Sequence, residues 1–310
     1  MKIRYLALAA SAAIALAAPG YAHDQWLKPS VTVLSDTTQS VTVDAGTSTI
    51  PFQPNHQPMN VENMQVVRPD GTAGAIENTA RGRYRTTFDV KIDMPGTWRI
   101  GNSSSNLGGS FKVDGADWRI GRRRGPPAGA PGAAGAPPGA GPGNAPAGAG
   151  GPGAGAGAGA PPANMVATAD EIPAGATDIQ LTESHSRNEF FVTAGNPTEQ
   201  VYTPTGSGLE FVPQVSPTDL VMGEPAQFQY LVDGQPAVGV EVTVIADGQR
   251  YHSETYSMDL TTDANGMINI DWPVAGFYWL SAQVEDEKPS DARANKRRMT
   301  YIATLEVVAP

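Results

Sequence analysis

Residues 40–44 and 84–92 alternate apolar and polar side chains: Val41 and Val43 against Ser40, Thr42 and Asp44, and Phe88, Val90 and Ile92 against Thr87, Asp89 and Lys91. A period of two sends one set to each face of an extended chain, so both segments predict half-buried β-strands. The same signature, in shorter runs, predicts strands over 30–34, 64–67, 97–100, 109–113, 178–181 and 189–193. Turn chemistry separates them. In Arg68-Pro69-Asp70-Gly71 the proline presets φ and the glycine supplies φ > 0, and Met94-Pro95-Gly96 repeats the pairing. No segment sustains a 3.6-residue apolar stripe bounded by capping residues, so no helix is expected.

The last hundred residues repeat this pattern at even spacing. Strands are predicted over 228–232, 240–246, 267–272, 277–284 and 301–308, with Val240, Val242 and Val244 facing one way and Glu241 and Thr243 the other. Asp233-Gly234-Gln235-Pro236, Asp247-Gly248 and Thr262-Asp263-Ala264-Asn265-Gly266 supply the turns. Asp263-Ala264-Asn265-Gly266 lacks the closing Glu of a calcium loop and reads as a turn. Short strands with regular turns predict an immunoglobulin-like or transthyretin-like sandwich over 213–310. An N-terminal β-sandwich domain is expected over 23–212.

Composition changes this picture in one place. Every residue from 125 to 163 except Asn144 is Gly, Pro or Ala, a stretch with nothing to bury and no Gly-X-Y register. It predicts a disordered insertion. Because strands continue after it, the segment is expected to interrupt the N-terminal domain, with the domain border falling near Pro213. The basic cluster Arg119, Arg122, Arg123 and Arg124 at its mouth reads as a solvated charge run.

The first 22 residues carry Lys2 and Arg4, an apolar stretch of Ala, Leu and Ile, and then Pro19-Gly20-Tyr21-Ala22. That is the order of a cleavable export signal, with small residues at −3 and −1 of a cut after Ala22. A cut after Ala18 is the alternative. Cleavage after Ala22 makes His23 the first residue, in a periplasmic or secreted chain with no transmembrane segment. Removing Lys2 and Arg4 from the 21 Lys+Arg leaves 19 against 31 Asp+Glu, a net charge of −12. Such a balance excludes nucleic acid as a partner. The absence of cysteine excludes disulfides, thiolate catalysis and thiolate metal sites.

His23-Asp24-Gln25-Trp26-Leu27-Lys28-Pro29 and Asn55-His56-Gln57-Pro58-Met59 resemble segments of a DUF4198-like periplasmic family of unknown function. Residues 189–198, 204–213, 262–266 and 303–307 are similar to other segments of it. That family is related to the extracytoplasmic part of NikM-type nickel and cobalt uptake proteins. The resemblance implies a two-part β protein of the cell envelope, an immunoglobulin-like C-terminal part and a metal-uptake membrane complex as partner. It implies no established activity, and His56 is the second ligand that it favours.

An N-terminal histidine offers its α-amine and imidazole Nδ1 to one metal in a six-membered chelate. One more histidine completes a three-nitrogen plane suited to Cu(II) and acceptable to Ni(II). The α-amine titrates near about 8, so it deprotonates readily on binding. The candidate metal ligands are therefore His23 and His56, with Met59 as a soft axial group. His23 capping the first strand and His56 bonding a loop carbonyl are the structural alternatives. His185 and His252 read as ordinary exposed histidines. No Gly-x-Ser-x-Gly elbow is present, and Glu285-Asp286-Glu287 reads as a solvated turn. The preferred reading is a non-enzymatic binding protein for nickel, cobalt or copper. A structural or adhesive envelope module is the first alternative. An N-terminal-histidine copper monooxygenase is the second, disfavoured because Trp272 and Trp279 sit in strands that need core residues.

Overall fold

The computed structural model describes residues 23–121 and 164–310. Among them the regular structure is β-strand, apart from three single turns of 3-10 helix, as the period of two predicts. The expected export signal and the Gly/Pro/Ala insertion lie outside the described residues. No helix among the described residues is long and apolar enough to cross a membrane. The chain divides into two compact units. One takes the chain up to Ser103 together with Arg187–Ala282 and Tyr301–Pro310, and the other takes Ser104–Ser186 and Gln283–Thr300. The border expected at residue 213 falls inside the strand Leu209–Pro213, within the first unit.

The first unit holds two sandwiches. In the N-terminal one, Gln39–Ser48 lies between Asp24–Pro29 and Arg85–Ile92, and Ile76–Arg81 forms the far edge. Register places Val41 opposite Val90 and Val43 opposite Phe88, so the apolar set of each strand shares one face. That face meets Val66, Trp98, Ile100, Phe190, Val192 and Ala194 in a single buried core. Each fully buried side chain of this size contributes about 1.5–3 kcal/mol, which makes the two-residue period decisive.

The C-terminal sandwich has the immunoglobulin-like strand order. Ala226–Val232 pairs with Leu209–Pro213 on one edge and Met267–Ile270 on the other. The opposing sheet runs from the last strand through the Gly276–Asp286 strand to Glu241–Ala246 and Ser257–Thr261. The short strand Leu220–Val221 joins the end of the last strand in parallel. Between the sheets, Phe211 stacks on Tyr301 at 5.5 Å and Trp272 meets Tyr278 edge-on at 4.8 Å. The Tyr278 hydroxyl donates to the Val274 carbonyl at 2.7 Å and accepts from its N–H at 3.2 Å, a tyrosine corner of the kind found in such sandwiches.

The second unit contains the hairpin between residues 109–113 and Ala116–Ile120, turned by Asp114 and Gly115 at φ 50° and 79°. Both positive angles fit a primed two-residue turn. Its loop 288–295 is held to the strand at residues 181–183. Leu181 N–H donates to Asn295 Oδ1, Asn295 N–H donates to the Leu181 carbonyl, and Ser290 donates both its N–H and its hydroxyl to Glu183.

Candidate functional site

The strand that begins one residue after His23 is fixed from two sides. Its Trp26 is buried, donates its indole N–H to Ser48 Oγ at 2.7 Å, and meets Phe52 edge-on at 5.9 Å. Gln25 offers its carbonyl to the Trp279 indole N–H at 3.0 Å. Trp26, Phe52, Trp279 and Ile302 form a small apolar cluster of their own. Lys28 lies over the Phe277 ring at 5.2 Å and pairs with Asp247.

His56 is delivered by the loop that leaves the same region. Phe52 adopts φ 66°, a left-handed conformation that a bulky residue takes only when the surroundings demand it. Here the demand is burial of its ring against Trp26. Asn55 closes the loop by accepting from Thr49 N–H at 3.3 Å and donating to Thr49 Oγ1 at 2.8 Å. Gln57–Pro58 then pairs with Thr47 and Gly46, so His56, like His23, lies one residue before a strand that adds to Gln39–Ser48.

The result is direct contact between the two histidines. Their rings stack with centroids 3.6 Å apart and an interplanar angle of 17°. His23 is exposed and His56 half-buried. An imidazole lone pair lies in the plane of its ring. Two near-parallel rings at this separation do not converge on one ion held about 2.0 Å from each nitrogen. Chelation by both therefore requires one ring to turn out of the stack, and the exposed His23 has the freedom to do so. Beside them, burial pushes the Asp24 carboxyl up to about 6, against the lowering influence of His23.

The other residues considered from sequence are placed differently. Met59 is buried in the N-terminal core, its main-chain N–H on the Ala45 carbonyl and its own carbonyl accepting from Thr86 Oγ1. Its thioether is engaged in packing, which removes the physical basis for the soft axial ligand. His185 Nε2 lies 3.1 Å from Glu183 Oε1 in the second unit. His252 is exposed and meets Tyr256 edge-on at 5.2 Å. Asp263 Oδ1 accepts from the Asn265 and Met267 N–H groups, which closes the 262–266 turn on itself. Among the described residues no three His, Asp or Glu side chains gather into a metal-holding group. Trp272 and Trp279 are both buried, Trp279 within the strand Gly276–Asp286 and Trp272 two residues past the end of Met267–Ile270.

Three buried carboxylates escaped the sequence reading. Glu183 binds the 288–295 loop, Glu189 accepts from the Tyr301 hydroxyl, and Glu210 accepts from Thr205 and Gly206. Nothing in their local patterns distinguishes them from solvated strand residues: the partners of Glu183 and Glu189 lie in distant segments, and those of Glu210 in the turn four and five residues before it.

No curated protein matches the chain. Among solved structures, the D0-D1 domain of Intimin is similar over 90% of this chain and 97% of its own, at 11% identity. Its TM-score of 0.20 is too low for that likeness to bear on fold or function. The model of the DUF4198 family, a domain of unknown function, matches residues 20–286, and the chain belongs to that family.

Proposed function

We propose that this chain is an exported, non-enzymatic binding protein for one transition-metal ion, nickel, cobalt or copper, serving uptake or homeostasis in the periplasm. The observation that supports the reading is the ring contact of His23 and His56, two histidines far apart in sequence, at an end of the sheet held by Trp26 and Trp279. Cleavage after Ala22 frees the α-amine of His23. That amine and Nδ1 of the same residue close a chelate, and His56 supplies a third nitrogen once the rings unstack. No three His, Asp or Glu side chains among the described residues form a metal-holding group, so the reading relies on the amine for one of its nitrogens. Met59 stays in the core. The recipient of the ion would be a metal-uptake complex in the membrane.

The test is calorimetric titration of the mature chain with Cu(II) and with Ni(II), after mass spectrometry of its N-terminus. The reading expects a chain beginning at His23 and uptake of one ion, lost in His23→Ala and in His56→Ala. A chain beginning elsewhere, or uptake indifferent to both substitutions, overturns it. Metal-dependent consumption of oxygen or peroxide on a glycan would replace binding with oxidation.

A further inference from the structure

Two segments singled out by their sequence, 189–198 and 204–213, have no part in the His23–His56 reading. Their ends, with residues 199–203 between them and 214–216 after, wall a cavity of about 470 Å³ in the first unit. That lies inside the range of small-molecule sites, roughly 300–1,000 Å³.

The walls are fixed by bonds that local chain geometry alone does not require. Buried Glu210 accepts from Thr205 N–H and Oγ1, both at 2.7 Å, and from Gly206 N–H at 2.9 Å, which sets the loop after Pro204. Thr97 and Thr198 each donate an N–H to the other's hydroxyl at 3.0 Å. Ser216 Oγ lies 3.1 Å from Thr218 Oγ1, which in turn lies 2.7 Å from Thr193 Oγ1. A pocket held this way loses little entropy on binding.

The lining then narrows the ligand class. No Lys or Arg faces the cavity, so an anion has no counter-charge there. Pro197, Pro204 and Pro213 remove main-chain N–H donors from the wall, so an added peptide strand would lack its ladder. What the wall offers instead are hydroxyls from Thr198, Thr203 and Ser216, the Gln214 carboxamide and the Glu199 carboxylate. Apolar surface from Val212, Val215 and the three prolines alternates with them. The Tyr202 hydroxyl is buried and meets no partner in hydrogen-bonding geometry, although the Thr97 and Ser216 hydroxyls lie close enough to influence its ionisation. Donors and acceptors interleaved with apolar patches, without net positive charge, match a sugar ring, whose hydroxyls point outward and whose C–H faces are apolar.

We propose that this cavity is a binding site for an uncharged saccharide of one or two rings. It does not depend on the metal reading, and His23→Ala should leave it unchanged. The test is saturation-transfer NMR on the full mature chain, with cellobiose and N,N′-diacetylchitobiose as probes and inorganic phosphate and an Ala-Pro repeat peptide as counter-probes. The expected result is transfer to at least one disaccharide, with affinity weakened at least about tenfold by Gln214→Ala and by Val215→Trp. Both substitutions are at exposed positions, and circular dichroism confirms that the variants fold. Absence of transfer to either disaccharide overturns the proposal. So does transfer unchanged in both variants, or binding of phosphate or the peptide in their place.

Discussion

The indole of Trp26 occupies the space where a side chain on Gly46 would stand: a Cβ there would lie 2.6 Å from Cζ2 of the ring. The two residues are opposite partners in the pairing of Asp24–Pro29 with Gln39–Ser48. Gly46→Ala must therefore push a buried ring that is also tethered to Ser48. The expected cost is about 1–3 kcal/mol, read as a lower urea midpoint with an unchanged slope. An unchanged midpoint would mean that the indole is loosely held.

Trp279→Phe keeps an aromatic ring but removes the donor to the Gln25 carbonyl and empties part of the space the indole fills. Loss of that bond should cost about 1–2 kcal/mol in thermal or denaturant unfolding. It should also weaken metal uptake, because Gln25 is two residues from His23. A variant that is less stable but binds metal as before would separate the anchor from the site.

Tyr278→Phe tests the corner of the C-terminal sandwich. The phenol serves both the N–H and the carbonyl of Val274, and its loss should cost about 1–2 kcal/mol. The immunoglobulin-like order itself should survive, with the near-ultraviolet signal retained.

In the second unit the predicted change is with pH. Burial alone would raise the Glu183 pKa, but the N–H and hydroxyl of Ser290, the N–H of Asp291 and nearby His185 together hold it below the ordinary value of 4.5. A depressed carboxylate stabilises the fold above the unfolded pKa and loses that contribution as pH falls through the folded one. The protection of the 288–295 amides, taken as their exchange relative to the intrinsic rate at each pH, should therefore fall below about pH 4.5. Glu183→Gln should show that low protection at every pH, and a profile identical to the wild type would contradict the role given to the carboxylate.

Much of this architecture is legible in residue order because one face of each sheet is buried. Val41, Val43, Phe88, Val90 and Ile92 announce their strands for that reason, and each is at most 1% exposed. The pattern fails where both faces are wet. Residues 102–110 are mostly Asn, Ser and Gly with little burial, yet they belong to one continuous strand, Gly96–Val113. Residue order shows only two short pieces of that strand, because pairing with neighbouring strands rather than an apolar face keeps it extended. Residues 182–188 of Thr177–Ala194 are missed for a different reason: they are polar but half-buried, with Glu183 and Asn188 buried, so no apolar alternation marks them. The division of the chain into discontinuous units is likewise invisible locally, since long strands carry it between them.

The site was legible in part. The histidine pair follows from the chemistry of an exported N-terminus and from the Asn55–Met59 resemblance, and the fold does bring the two rings together. Their stacked arrangement depends on Phe52 and Asn55 bending the intervening loop, which no spacing rule conveys. Met59 shows the converse. A thioether three residues from a histidine invites a ligand role, but the pairing of Gln57–Pro58 carries the chain into the core at Met59.

The most direct measurement is electron paramagnetic resonance of one equivalent of Cu(II) on the mature protein, its His56→Ala variant and a form extended by one residue before His23. The account predicts an axial spectrum with several coupled nitrogens, one fewer in His56→Ala, and loss of the amine contribution in the extended form. A spectrum identical across the three proteins, or that of unbound copper, would contradict it.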